Sequence, residues 1–143
     1  SLMPQLKHYP RVELQLEMDA DVSINSYPGA FAQILSNLVV NALTHGFGHE
    51  RSGTILIRTV ILDNQVKISF EDDGAGMDAE IRSRIFEPFF TTRRGSGGSG
   101  LGMHIVYNLV TTQLSGTIRC FSNYGQGTRF DITIPLTPET ENE

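Results

Sequence analysis

Only one cysteine, Cys120, occurs among the 143 residues, so neither an internal disulfide nor a multi-cysteine metal site can form. That usage fits a reducing compartment. Positive charge is also scarce: 11 Lys and Arg stand against 16 Asp and Glu, for a net charge of -5. A nucleic-acid module normally carries a basic face, so no nucleic-acid partner is expected. A small anionic ligand stays open, because it needs only a few well-placed groups. No apolar run approaches the roughly 20 residues needed to span a bilayer, and no signal peptide is visible. Repeats and low-complexity tracts are missing, one glycine cluster apart. What remains is an ordinary soluble composition, 39% hydrophobic and 19% charged, sufficient for one domain with a core and too short for two. Ser1-Leu2-Met3 reads as a cloning remnant ahead of an internal start. The expected division is therefore remnant and linker over 1–10, one domain over 11–137 and a solvated acidic tail over 138–143.

Val12, Leu14, Leu16 and Met18 alternate with Arg11, Glu13, Gln15 and Glu17, the period-two mark of a strand with one wet face. Pro28, suited to a first helical turn, opens an apolar-periodic helix to about His45 that Gly46 closes. Thr54 to Leu62 and Val66 to Phe70 read as strands joined at Asp63-Asn64. Asp78 caps a short helix that Pro88 ends. A further helix runs from Leu101 to about Leu114 and stops near Gly116. Thr117 to Phe121 and Thr128 to Ile134 close the chain as a hairpin across 123–127. Sequence-adjacent hairpins mixed with helices predict an α+β fold, a two-layer sandwich with helices on one face of a mixed, mostly antiparallel sheet.

Three groups of residues invite a chemical reading. On the first helix Gln33, Asn37 and Asn41 recur every fourth residue along the edge of an apolar arc. Asn is a mediocre helix former, so this column is either a solvated face or a row of neutral amide oxygens suited to a hard cation such as Mg²⁺. At the end of the Val66 strand stands Glu71-Asp72-Asp73-Gly74-Ala75-Gly76-Met77. It is either an acidic turn or a site where Asp72 accepts a hydrogen bond from an exocyclic amine, with Gly74 and Gly76 admitting a flat ring. The spacing of a calcium loop is absent. The third group, Gly95-Ser96-Gly97-Gly98-Ser99-Gly100-Leu101-Gly102, leads into a helix, whose N-terminal N–H groups favour anions. It matches the dinucleotide fingerprint by letter, but no βαβ strand precedes it. No Lys follows Gly100, so it is not a P-loop. A mobile lid is the plain alternative.

Order and spacing join these groups. Asn37-Leu38-Val39-Val40-Asn41-Ala42, Asp72-Asp73-Gly74-Ala75-Gly76, Ile85-Phe86-Glu87-Pro88-Phe89-Phe90 and Gly98-Ser99-Gly100-Leu101-Gly102 follow one another as the N, first glycine, F and second glycine boxes do in bacterial sensor histidine kinases. The chain resembles their C-terminal ATP-binding catalytic domain over nearly its whole length. The resemblance implies the Bergerat-type fold shared with type II topoisomerases, mismatch-repair ATPases and a heat-shock chaperone, with ATP and Mg²⁺ as cofactors. It implies that Asn41 ligates Mg²⁺, with Asn37 beside it in the catalytic centre. Asp72 would bond the adenine amine, with Gly74, Gly76 and Met77 along the ring. Gly98, Gly100, Leu101 and Gly102 would wrap the phosphates, and Thr128 would stand at the closing strand with a mainly structural part. Phe86, Phe89 and Phe90 would anchor a lid running from about Asp78 to Gly100, poorly ordered without nucleotide.

Many family members carry Lys and then Tyr three and four residues after the second Asn; here those positions are Thr44 and His45. The phosphate contact is expected to be lost or to pass to Arg93 or Arg94, and His45 to replace the Tyr ring beside adenine. His8, His49 and His104 read as surface or structural, so the phosphoacceptor histidine is expected on a separate upstream dimerisation domain, with a response regulator downstream. The resemblance implies an isolated domain that is monomeric and cytoplasmic, with a parent allowed at the inner membrane. Alternatives are an anti-sigma-factor serine kinase-like domain, suggested by Asn41 to Gly46, and a nucleotide-binding module without catalysis.

Overall fold

The computed structural model describes residues 11–18, 28–47, 52–90 and 102–136. Five strands form one sheet in the order β1-β2-β3-β5-β4, with β1 Val12–Met18, β2 Gly53–Leu62, β3 Gln65–Asp72, β4 Thr117–Ser122 and β5 Thr128–Pro135. β1 runs parallel to β2, as a crossover through a helix permits, and every other pair is antiparallel. The β2–β3 hairpin turns at Asp63 and Asn64, which both take positive φ (56° and 61°). A two-residue turn matched to strand twist requires that, and Asp and Asn tolerate it well.

The helices are α1 Pro28–Asn41, α2 Ala79–Arg84 and α3 Gly102–Asn108. α1 continues as a π-helical segment, Ala42–Phe47, and α3 as another, Leu109–Gln113. Ile34, Leu38, Val39 and Leu43 of the first helix are buried against Ile55, Ile57, Ile68, Phe70, Phe130 and Ile132 of the sheet, with Val106 and Val110 completing the core. The alternate residues of the same strands, among them Arg58, Val60, Lys67, Glu71 and Arg129, are exposed. One face of the sheet is thus covered and the other is wet.

The helix expected to stop at Gly46 runs to Phe47, because its last turn widens rather than ending. Of the stretch expected as a lid, 91–100 lies outside the described residues, and Asp78 to Phe90 is packed onto the domain: the Asp78 side chain accepts the Ile81 N–H at 2.9 Å and caps α2. Phe86 is half-buried with its ring 5.2 Å from Tyr107 and 6.1 Å from Phe130. Its carbonyl lies 3.2 Å from His104 Nδ1, and Asn108 meets Nε2 at 3.2 Å, so His104 is structural, as expected. Phe90 stacks under Arg84, whereas Phe89 is exposed at positive φ.

Candidate nucleotide site

β3 alternates to its end. Val66, Ile68 and Phe70 point into the core, and Asp72 continues their phase, leaving it only 5% exposed. A buried carboxylate must be hydrogen-bonded, and the Gly74 N–H donates to Asp72 Oδ1 at 2.8 Å. Asp73, in the opposite phase, is exposed and accepts the Thr54 N–H at 2.8 Å. The acidic pair is therefore divided, one carboxylate inward and one on the β2 side.

Against this strand end lies the close of the first helix. The Gly46 carbonyl accepts the Ala75 N–H at 2.8 Å. A Cβ on Gly74 would stand 2.5 Å from Gly46 O, and one on Gly46 would stand 3.4 Å from Asp72 Oδ1. The backbones of Gly74 and Gly46 thus meet beside the carboxylate, a contact that a side chain on Gly74 would prevent. Gly76, at φ +74°, has no room for a Cβ because of the Asn123 carbonyl. His45 adjoins Gly46 and is half-buried.

The third wall is the β4–β5 end. Thr128 is the cross-strand partner of Asp72, and both are buried. Ser122 Oγ accepts the Met77 N–H at 2.8 Å, donates to Gly127 O at 2.8 Å and lies 2.9 Å from Thr128 Oγ1. On the same inward face of β4 is Cys120. Burial pushes its thiol up to about 12, Arg82 pulling it down and the Asp72 carboxylate raising it, so it is no nucleophile near neutrality.

Asn37 and Asn41 sit at the helix edge, both half-buried. Asn37 Nδ2 donates to Gly102 O at a long 3.4 Å and so touches the start of α3. Among the described residues no group of three or more His, Cys, Asp or Glu could hold a metal ion. Arg93, Arg94, Gly98, Gly100 and Leu101 lie outside the described residues; Gly102 is half-buried at the head of α3.

Asp72, Gly74, Gly76, Met77, His45 and Thr128 thus come from three segments to one strand end. Sequence reasoning missed two contributors. Gly46 was read only as a helix stop. Ser122 was not singled out, although alternation places it on the face of Ile118 and Cys120, where a polar side chain must find partners.

Among known proteins, the chain is 34% identical over 131 residues to the signal transduction histidine-protein kinase AtoS of Escherichia coli (strain K12), covering 90% of the chain and 21% of that protein. It is 38% identical over 120 residues to the sensor histidine kinase ZraS of Klebsiella oxytoca, covering 84% of the chain and 25% of that protein. The chain thus spans about a quarter or less of these relatives. The catalytic domain of histidine kinase ThkA, in a nucleotide-free form, superposes with a TM-score of 0.75 at 27% identity over 94% of this chain and 84% of that one. Full-length ShkA in complex with AMPPNP does so with a TM-score of 0.71 at 28% identity, over 94% of this chain and 29% of that one. No helix among the described residues is long and apolar enough to cross a membrane. The family model described as histidine kinase-, DNA gyrase B-, and HSP90-like ATPase matches residues 27–138, and with these relatives it shows that the chain belongs to that family.

Proposed function

We propose that this chain binds Mg-ATP between the end of β3 and the close of the first helix, and donates the γ-phosphoryl group to a histidine on a separate dimerisation domain. The observation that carries the reading is the buried Asp72 carboxylate flanked by the glycine backbones of Gly46 and Gly74. A carboxylate held at a strand end beside backbone that carries no side chains suits the amine edge of a flat base. Adenine would bond Asp72, with Gly74, Gly76 and Met77 along the ring and His45 near its face. Thr128 would stand beside Asp72.

Toward the phosphates the reading passes to α1 and the head of α3. The Asn41 amide oxygen would hold Mg²⁺, with Asn37 beside it. The metal would supply charge neutralisation on the phosphoryl group. Gly98, Gly100, Leu101 and Gly102 would cradle the phosphates and Arg93 would contact them. Asn37 is an amide and cannot act as a general base. In the ATP-hydrolysing relatives named above, that position is a Glu that activates water. Without such a base the nucleophile must arrive ready-made, and a neutral imidazole on another domain is one. A response regulator would then receive the phosphoryl group.

The test supplies γ-labelled ATP to the chain alone and to the chain with a dimerisation domain bearing its histidine. The expected result is slow release of free phosphate by the chain alone and acid-labile phosphoprotein with the partner. Brisk turnover to free phosphate by the chain alone would overturn the kinase reading in favour of a hydrolytic ATPase.

A further inference from the structure

A serine hydroxyl carries one hydrogen and two lone pairs, and all three are used at Ser122. The Met77 N–H can only donate, so it occupies one lone pair (2.8 Å). The Gly127 carbonyl can only accept, so it takes the Ser122 hydrogen (2.8 Å). One lone pair is left, and the neighbour remaining is Thr128 Oγ1 at 2.9 Å. The Thr128 hydroxyl must therefore donate to Ser122. Reversing that bond would turn the Ser122 hydrogen away from the carbonyl of Gly127, a buried residue.

Thr128 is thereby left with lone pairs only. It stands opposite Asp72 in the β3–β5 register, and Asp72 Oδ1 already takes the Gly74 N–H. The strand end thus presents acceptors from both strands. We infer that Ser122, which need touch no ligand, is a positioning residue for base selection: it holds Thr128 as an acceptor, so that the site takes a base with an exocyclic amine and disfavours one with a carbonyl there. The inference rests on the nucleotide reading above and names the device by which that site chooses its base.

Mg-ATP and Mg-ITP test this, because inosine replaces the amine of adenine by a carbonyl and carries a hydrogen on N1, with sugar and phosphates unchanged. The N1 difference is common to all variants, so the change in the ATP-to-ITP ratio between variants is what is read. Calorimetric titration of the whole chain should show a preference for ATP. In Ser122→Ala the Thr128 hydrogen is free to turn toward a ligand carbonyl, and the ATP-to-ITP affinity ratio should fall by about tenfold, near the upper worth of one neutral hydrogen bond. Thr128→Val should narrow the ratio as well, and adding Ser122→Ala to it should change the ratio no further. That last comparison removes any contribution from a merely structural role of Ser122, and Thr128→Val alone keeps the test decisive if Ser122→Ala fails to fold. Equal loss of both nucleotides in Ser122→Ala, or an unchanged ratio in Thr128→Val, overturns the inference while leaving ATP binding in place. Failure of the unsubstituted chain to bind ATP overturns the nucleotide reading, and the inference with it.

Discussion

Gly46, at the close of the first helix, lies against the carboxylate of Asp72 at the end of β3. The backbone of Gly74 fills the space beside them, with its would-be Cβ 2.5 Å from Gly46 O. A backbone carbonyl cannot step aside as a flexible side chain can. Gly74→Ala should therefore lower the melting temperature by roughly 3–10 °C, the overpacking cost of a methyl group against backbone in a domain of this size. Gly102→Ala is the control, since no atom lies within 4 Å of its would-be Cβ. Scanning calorimetry on both variants checks the pair, and equal melting would contradict the close approach.

Asp72 and Asp73 are neighbours with opposite duties. Asp72→Asn should weaken ATP binding by roughly 10- to 150-fold, the worth of a charge-assisted hydrogen bond of about 1.5–3 kcal/mol. Asp73→Asn should leave the affinity within about twofold, because Asp73 is exposed and bonds Thr54 instead. Calorimetric titration separates them. Equal affinities of Asp72→Asn and the unsubstituted chain would remove Asp72 from the site.

The Phe86 carbonyl fixes the tautomer of His104. A carbonyl only accepts, so Nδ1 must carry the hydrogen and Nε2 must accept from the Asn108 amide. Nitrogen-15 shifts of the imidazole at a pH where it is neutral should show the Nδ1–H form. An Nε2–H tautomer would show that α3 is not tied to the segment before it in this way.

Cys120 predicts an alkaline loss of stability. Its thiol is raised from about 9 to about 12, chiefly by burial. Below pH 9 both folded and unfolded chains keep the proton and nothing is lost. Between those values only the unfolded chain ionises, so stability falls as pH rises. Urea unfolding at pH 8 and pH 10 should show that fall, and Cys120→Ala should reduce it. The native thiol should also resist iodoacetamide at pH 8 until the chain is unfolded. Rapid labelling of the folded chain would overturn the assignment.

Much of this was local and therefore readable. The alternation of Val66, Ile68 and Phe70 already assigns Asp72 to the buried face. Asp63-Asn64 can supply the two positive φ values its turn requires, and Asp78 stands three residues before the N–H it caps. Each of these depends on a residue and its near neighbours. The spacing of Asn37, Asn41, Asp72, Phe86 and Gly102 likewise identifies the family from the chain alone.

Only the tertiary structure decided what those elements meet. Hydrophobic periodicity does not distinguish α from π winding over a single turn, so it ended the helix at Gly46 rather than carrying it to Phe47. Nor does it state that β5 lies between β3 and β4, which is what brings Thr128 opposite Asp72 and Ser122 to Met77. The packing of Asp78 to Phe90 is not legible in the sequence because Phe86 is held by Tyr107, Phe130 and His104, the nearest of them 18 residues away. Sequence pattern determines which face a side chain takes, because strand and helix periods are local. Which group completes its hydrogen bonds is decided by packing between segments distant in the chain, and the direction of the Thr128 hydroxyl is decided there.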